Sequence, residues 1–152
     1  MLSNNRTWVR RGALICCLVL VVTGLNGCEN TGRKEQAEPA RMTLQTKTWY
    51  WEKTLYNDGT VHVPNQPGVF SLAFGQDGRV AITTDCNSMG GNYRVDGNQL
   101  QFEQLMSTRM YCEGSQEQLF SKMLENVSSY LFTDDGQLVL ELKYDSGSIR
   151  LR

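Results

Sequence analysis

From Val69 onward, apolar and polar residues alternate in short runs, and each run ends at a turn signal. Val69-Phe70-Ser71-Leu72-Ala73-Phe74 leads into Asp77-Gly78, followed by Arg79 to Thr84. Tyr93-Arg94-Val95 leads into Asp96-Gly97, after which Leu100 and Phe102 alternate with Gln99, Gln101 and Glu103. Asp135-Gly136 precedes Leu138, Leu140, Leu142 and Tyr144, which alternate with Val139, Glu141 and Lys143. Asp145-Ser146-Gly147 then turns the chain into Ile149 and Leu151, with another Asp-Gly pair upstream at Asp58-Gly59. Asp-Gly between such runs predicts hairpins, because both residues tolerate positive φ. A period-two pattern with one apolar face predicts an antiparallel sheet covered on one side. The even spacing of the first three pairs is not accompanied by recurring flanks, so it reads as regular hairpin length rather than as a repeat architecture.

One segment follows a different period. Ser115 stands three residues before Gln118, as in a capping box, and Glu117 lies where the helix dipole favours an acid. Leu119, Phe120, Met123, Leu124 and Val127 then recur at helical spacing. This predicts a helix over 116–129 whose apolar stripe needs the sheet to cover it. The fold class is therefore α+β and mainly antiparallel β: a curved sheet with one packed helix.

The N-terminal part is a different kind of polymer. Residues 1–12 carry Arg6, Arg10 and Arg11 and no acid, an apolar stretch runs from Ala13 to Val22, and small residues follow up to Cys28. This order describes a secretory signal peptide. A spanning helix needs about 20 apolar residues, and this run is shorter. Leu25-Asn26-Gly27-Cys28 resembles the bacterial lipobox, which implies cleavage before Cys28 and lipid attached to its thiol and new amino terminus. Two or more acyl chains anchor a protein stably where one does not. Glu29, rather than Asp, follows the cysteine and leans towards the outer membrane. Glu29 to Thr46 lacks apolar periodicity, carries Pro39 and reads as a flexible tether. The expected organisation is a signal peptide over 1–27, a tether over 28–46 and one domain over 47–152.

Composition then changes meaning. The whole chain has 152 residues and a net charge of −1. Without the three signal-peptide arginines, 12 basic residues face 16 acids, giving −4. A mildly acidic mature chain disfavours nucleic acid as a partner. Of the five cysteines, Cys16 and Cys17 leave with the signal peptide and Cys28 is the lipid site. Cys86 and Cys112 remain, and an even pair in an exported protein reads as a disulfide. Such a bridge is worth roughly 3 to 4 kcal/mol in the chain-entropy model. The alternative is two buried free thiols. A metal site built from these cysteines and His62 lacks a fourth ligand, and the Cys-x-x-Cys spacing of redox proteins is absent.

Other chemistry is sparse. His62 is the single histidine, between Val61 and Val63, and is expected opposite an apolar face. Asp134 and Asp135 lie in a turn, and Gly90-Gly91 lies between strands rather than before a helix. No catalytic residue, cofactor or metal site is assigned. The unusual segments are Cys86-Asn87-Ser88-Met89-Gly90-Gly91-Asn92-Tyr93 and Thr108-Arg109-Met110-Tyr111-Cys112. Asn87, Asn92 and Thr108 can hydrogen-bond backbone and so satisfy this irregular turn; alternatively, together with Met89 and Arg109, they are candidates for a binding surface. Trp49, within the run Trp49-Tyr50-Trp51, is a further candidate, because three adjacent aromatics in a strand must point to both faces.

These same residues carry a family resemblance. Cys86-Asn87 before Gly91 and Tyr93, then Gly97 and Leu100, then Thr108, Met110 and Cys112, then Glu117, Phe120 and Leu124, resemble the META domain family. Trp51 and the terminal strands extend the resemblance over 47–152. Many members carry glycine where Ile82 and Asp85 stand, so the strand here is expected to be more regular. The resemblance implies a barrel-like antiparallel α+β domain in envelope or secreted proteins, associated with heat shock, novobiocin resistance and, in a trypanosomatid branch, virulence. It supplies no catalytic residues. The expectation is a non-catalytic domain that is lipid-anchored in the bacterial cell envelope and faces the periplasm. It would bind another envelope component or support stress resistance, with a carrier of small hydrophobic ligands inside the barrel as the alternative.

Overall fold

A computed structural model describes residues 42–152. The expected signal peptide, the expected lipid site at Cys28 and the expected tether up to residue 41 lie outside the described residues.

The described residues form nine strands, β1 (Trp49–Tyr56), β2 (Val61–His62), β3 (Ser71–Phe74), β4 (Arg79–Thr83), β5 (Ser88–Asp96), β6 (Gln99–Ser107), β7 (Val127–Phe132), β8 (Leu138–Leu142) and β9 (Gly147–Leu151), with one α-helix, α1 (Glu117–Glu125). All pairings are antiparallel, and β1 closes the ring by pairing with β9 on one edge and with β3 and the short β2 on the other. β6 and β7 share a single register pair, Gln99 with Ser129; α1 lies between these two strands in the chain.

All four Asp-Gly pairs occupy hairpin turns, and their glycines have positive φ, as at Gly97 (60°). Asp58 and Asp77 each accept a hydrogen bond from the backbone two residues on, at 2.8 and 3.1 Å. The alternation also holds where it was clearest. Phe70, Leu72, Phe74, Val80, Ile82, Leu100, Leu138, Leu140, Leu142, Ile149 and Leu151 all point inward and are buried. At Ile82 the strand is regular, paired with Met89.

The barrel interior is filled by aromatic rings. Trp51 stacks at 5.1 Å on Phe120 from the helix and meets Phe70 edge-on at 5.2 Å. Phe70 and Phe120 are themselves 5.2 Å apart. Both indole N–H groups of the core are satisfied, Trp49 donating to the Leu44 carbonyl at 2.7 Å and Trp51 to Thr54 Oγ1 at 3.0 Å. A register shift between Trp51 and Lys53 returns Thr54 to the inside. A second irregularity, between Gly90 and Asn92, lies opposite Gln104, whose φ is 53°. A Cβ at Gly91 would come within 2.8 Å of the Glu103 carbonyl, so this bulge requires glycine.

Five expectations need correction. The domain begins earlier than residue 47, because Leu44 is buried in a short 3₁₀ turn (Leu44–Thr46) against the core. The helix stops at Glu125 rather than at 129, since Val127 turns inward as the first residue of β7 and Asn126 caps the helix. The Ser115–Gln118 capping box does not form; Asp85 caps this end from across the fold. Tyr144 does not continue the apolar face of β8. It sits in a turn (Lys143–Asp145) at φ 60°, 97% exposed. Val61 and Val63 are exposed rather than forming an apolar face opposite His62, because β2 is a two-residue edge strand.

The meander sorts the turns into two poles. The turns over 75–78, 97–98 and 133–137 lie at the end where β1 begins and β9 finishes. The chain enters here, with Lys47 Nζ donating to the Gly136 carbonyl at 3.5 Å. The turns over 57–60, 84–87 and 143–146 and the connection over 108–116 lie at the other pole. Helix α1 crosses that pole. Its first turn is held by residues 84–87, and Lys143 Nζ donates to the Glu125 carbonyl at 2.8 Å near its last turn.

Candidate functional site

The helix pole holds the chemistry that the sequence singled out. Cys86 and Cys112 are bonded, with Cα atoms 5.8 Å apart. The bond joins the β4–β5 turn to the connection between β6 and α1, so both unusual segments are neighbours.

Asn87 is the centre of this clamp. It is 7% exposed. Its Oδ1 accepts from the Thr108 hydroxyl at 2.7 Å and from the Met110 N–H at 2.9 Å. Its Nδ2 donates to the Met110 carbonyl at 3.1 Å. One side chain thus pairs with both main-chain groups of Met110, as a neighbouring strand would. The connection over 108–112 has no ladder of its own here, and an unpaired backbone group away from water is costly.

Glu117, in the first turn of α1, supports Asn87 from below. Its Oε2 accepts from the Asn87 N–H and the Thr84 hydroxyl, both at 2.9 Å, and its Oε1 accepts from the Ser107 hydroxyl at 2.7 Å. Burial pushes the Glu117 carboxyl up. Hydrogen bonds from Ser107, Asn87 and Thr84 outweigh it and hold the group below its ordinary value. Beside it, Asp85 accepts from the Ser115 hydroxyl at 2.6 Å and from the Gln116 N–H at 2.8 Å. Two acids thus tie the helix start to the β4–β5 turn.

The clamp leaves a short exposed stretch. Arg109 is exposed, Met110 is 64% exposed and Tyr111 is 90% exposed. A shallow cleft lies beside them, lined by Asn87, Met110, Tyr111, Ser115 and Gln118.

The proposed binding residues therefore separate. Thr108 and Arg109 lie on the exposed connection, Thr108 with its hydroxyl turned to Asn87. Asn87 is buried beneath it as its clamp rather than lying on the surface. Met89 is a correction: it is in the core, because it alternates inward on β5. Asn92 is half-buried away from the clamp, where its Nδ2 donates to Gln104 Oε1 at 3.1 Å across the bulge. Trp49 is the second correction: it is 0% exposed, packed on Phe132 at 5.6 Å. Tyr50 is the outward member of the aromatic run. Met110 and Tyr111 were missed as surface candidates, although their position before Cys112 placed them in the constrained connection.

His62 packs edge-on against Tyr56 at 5.7 Å. Burial raises the Tyr56 hydroxyl above its ordinary value, and Asp58 adds to this. Among the described residues, no three His, Cys, Asp or Glu side chains gather as a metal site requires. Also among these residues, no helix is long and apolar enough to cross a membrane.

Fold and site together define a class: a small antiparallel barrel closed by one helix, with a disulfide-held connection at the helix pole. The META domain family model matches residues 42–151. The chain belongs to the META domain family. No curated protein matches it. Among solved structures, an NMR structure of a protein from Burkholderia xenovorans is similar with a TM-score of 0.60 and 20% identity, covering 71% of this chain and 81% of that one. A crystal structure of a DUF4847 family protein from Bacteroides vulgatus is similar with a TM-score of 0.55 and 16% identity, covering 71% and 92%. At these identities the likeness is one of fold.

Proposed function

We propose that this META domain is a non-catalytic binding module of the bacterial cell envelope. Lipid on Cys28 anchors it to a membrane, and its helix pole meets another envelope component in the periplasm. Glu29 favours the outer membrane as the site of anchoring. The observation that carries this reading is the placement of Arg109, Met110 and Tyr111. They are held exposed by a disulfide and by Asn87, at the pole opposite the chain entry. Arginine and tyrosine are favoured interface anchors, and a preordered loop loses little entropy on binding. Filling of the interior by Trp51, Phe70 and Phe120 weighs against carriage of a ligand within the barrel.

Two experiments test it. Cys28→Ala should release the protein from membranes, and retention would overturn the anchor. A photo-crosslinking side chain at position 111 should capture an envelope component in intact cells, and Arg109→Ala should reduce that capture. The same group at Asp77, on the other pole, should not capture it. Equal capture from both positions would overturn the assignment of the surface.

A further inference from the structure

A cleft of about 590 Å³ opens on the outside of the barrel, away from the clamped connection. Its apolar walls are Tyr50, Val63, Pro64 and Pro67, and the charged residues Glu52 and Arg152 also line it. The cleft exists because β1 changes partners. β3 pairs with β1 at Trp49 and Tyr50, and β2 pairs at Thr54 and Leu55. Between them, residues 63–69 loop away from the sheet, and the Phe70 carbonyl rejoins it by accepting from the Trp51 N–H at 3.0 Å. That loop is held in place: Gln116 Nε2 donates to the Val63 carbonyl at 3.0 Å, and the Asn65 N–H donates to Gln116 Oε1 at 2.7 Å. The opposite side is equally fixed, because Tyr50 and Arg152 exchange both main-chain hydrogen bonds, at 2.8 and 3.0 Å. The cleft is therefore bounded on two sides by hydrogen-bonded backbone.

We propose that this cleft binds a small aromatic anion, its flat apolar body against Tyr50 and the two prolines and its carboxylate or sulfonate on Arg152. The volume lies within the roughly 300–1,000 Å³ range of small-molecule sites, which are mostly apolar with a few polar groups for orientation. Tyr50 and Val63 both leave apolar surface in water here, and covering it is favourable. The guanidinium is the donor that matches a planar anion in two places. Glu52 opposes this anion by like-charge repulsion, so neutralising it reads out the charge of the ligand.

The full chain in phospholipid nanodiscs, titrated calorimetrically with 2-naphthoate against empty nanodiscs, tests this. Saturable binding is expected at one site. Arg152→Gln should weaken it by about tenfold, the equivalent of about 1.4 kcal/mol. Glu52→Gln should tighten it. The neutral 2-naphthamide should respond to neither change but should be lost, like the naphthoate, in Tyr50→Ser. Arg109→Ala, in the clamped connection and outside the cleft lining, should leave both probes unaffected. The absence of saturable heat above the blank, or equal naphthoate affinity in wild type, Arg152→Gln and Tyr50→Ser, would overturn the proposal.

Discussion

Replacing Asn87 by alanine removes three hydrogen bonds at once, from the Thr108 hydroxyl and the Met110 N–H and to the Met110 carbonyl. A typical bond contributes about 0.5–1.5 kcal/mol net. Three would give roughly 1.5–4.5 kcal/mol, but Thr108 and Met110 are exposed and water can replace part of the loss. A destabilisation of about 2 kcal/mol is therefore expected. For a domain of about 100 residues each kcal/mol moves Tm by about 4–8 °C, so thermal unfolding followed by circular dichroism should show a drop of about 10 °C. Thr108→Val separates hydrogen bonding from packing. Its hydroxyl bonds to Asn87, so the double variant should lose less than the sum of the singles, with a coupling of about 1 kcal/mol. A Tm change under about 2 °C in Asn87→Ala, or strict additivity with Thr108→Val, would refute the clamp.

Three further outcomes are expected. Glu117 titrates below its ordinary value of 4.5 in the folded chain, so it adds stability above that pH, lost as pH falls through the folded value; Glu117→Gln should flatten the acid limb of a Tm–pH profile, and an unchanged limb would exclude this role. Trp49→Ala should cost about 3–5 kcal/mol in denaturant unfolding, as for a buried aromatic, whereas a surface residue would cost almost nothing. Gly91→Ala forces a Cβ against the Glu103 carbonyl and should cost roughly 1–3 kcal/mol, so wild-type stability would rule out the bulge geometry.

Local signals were reliable where local chemistry decides. Asp-Gly pairs specify hairpins because positive φ is a property of the residues themselves, and all four turns formed. Burial along β4 and β9 followed the alternation, because successive strand residues face opposite sides, while Ser71 in β3 and Val139 in β8 are buried as well. Errors arose where a distant partner overrode the pattern. Val127 fits the helical stripe, yet pairing with Leu142 draws it into β7. Trp49, Tyr50 and Trp51 must divide between faces, but only barrel closure by β9 decides that the two tryptophans take the inside. Asn87 was legible as an amide that satisfies backbone in an irregular turn, but the backbone it serves was not, because its partners stand 21 and 23 residues later.

Taken alone, the sequence determined the α+β class, the hairpin sites, the pairing of Cys86 with Cys112 as the expected bridge and the resemblance to the META family. The class and the hairpin sites depend on residue type and short spacing, and the bridge on an even cysteine pair in a chain read as exported. Tertiary structure decided the poles, the clamp on Met110 and the cleft beside Tyr50. These depend on which strand edges meet when the sheet closes, and closure is governed by the summed packing of Trp51, Phe70 and Phe120 from three separate elements. No window of neighbouring residues contains that sum.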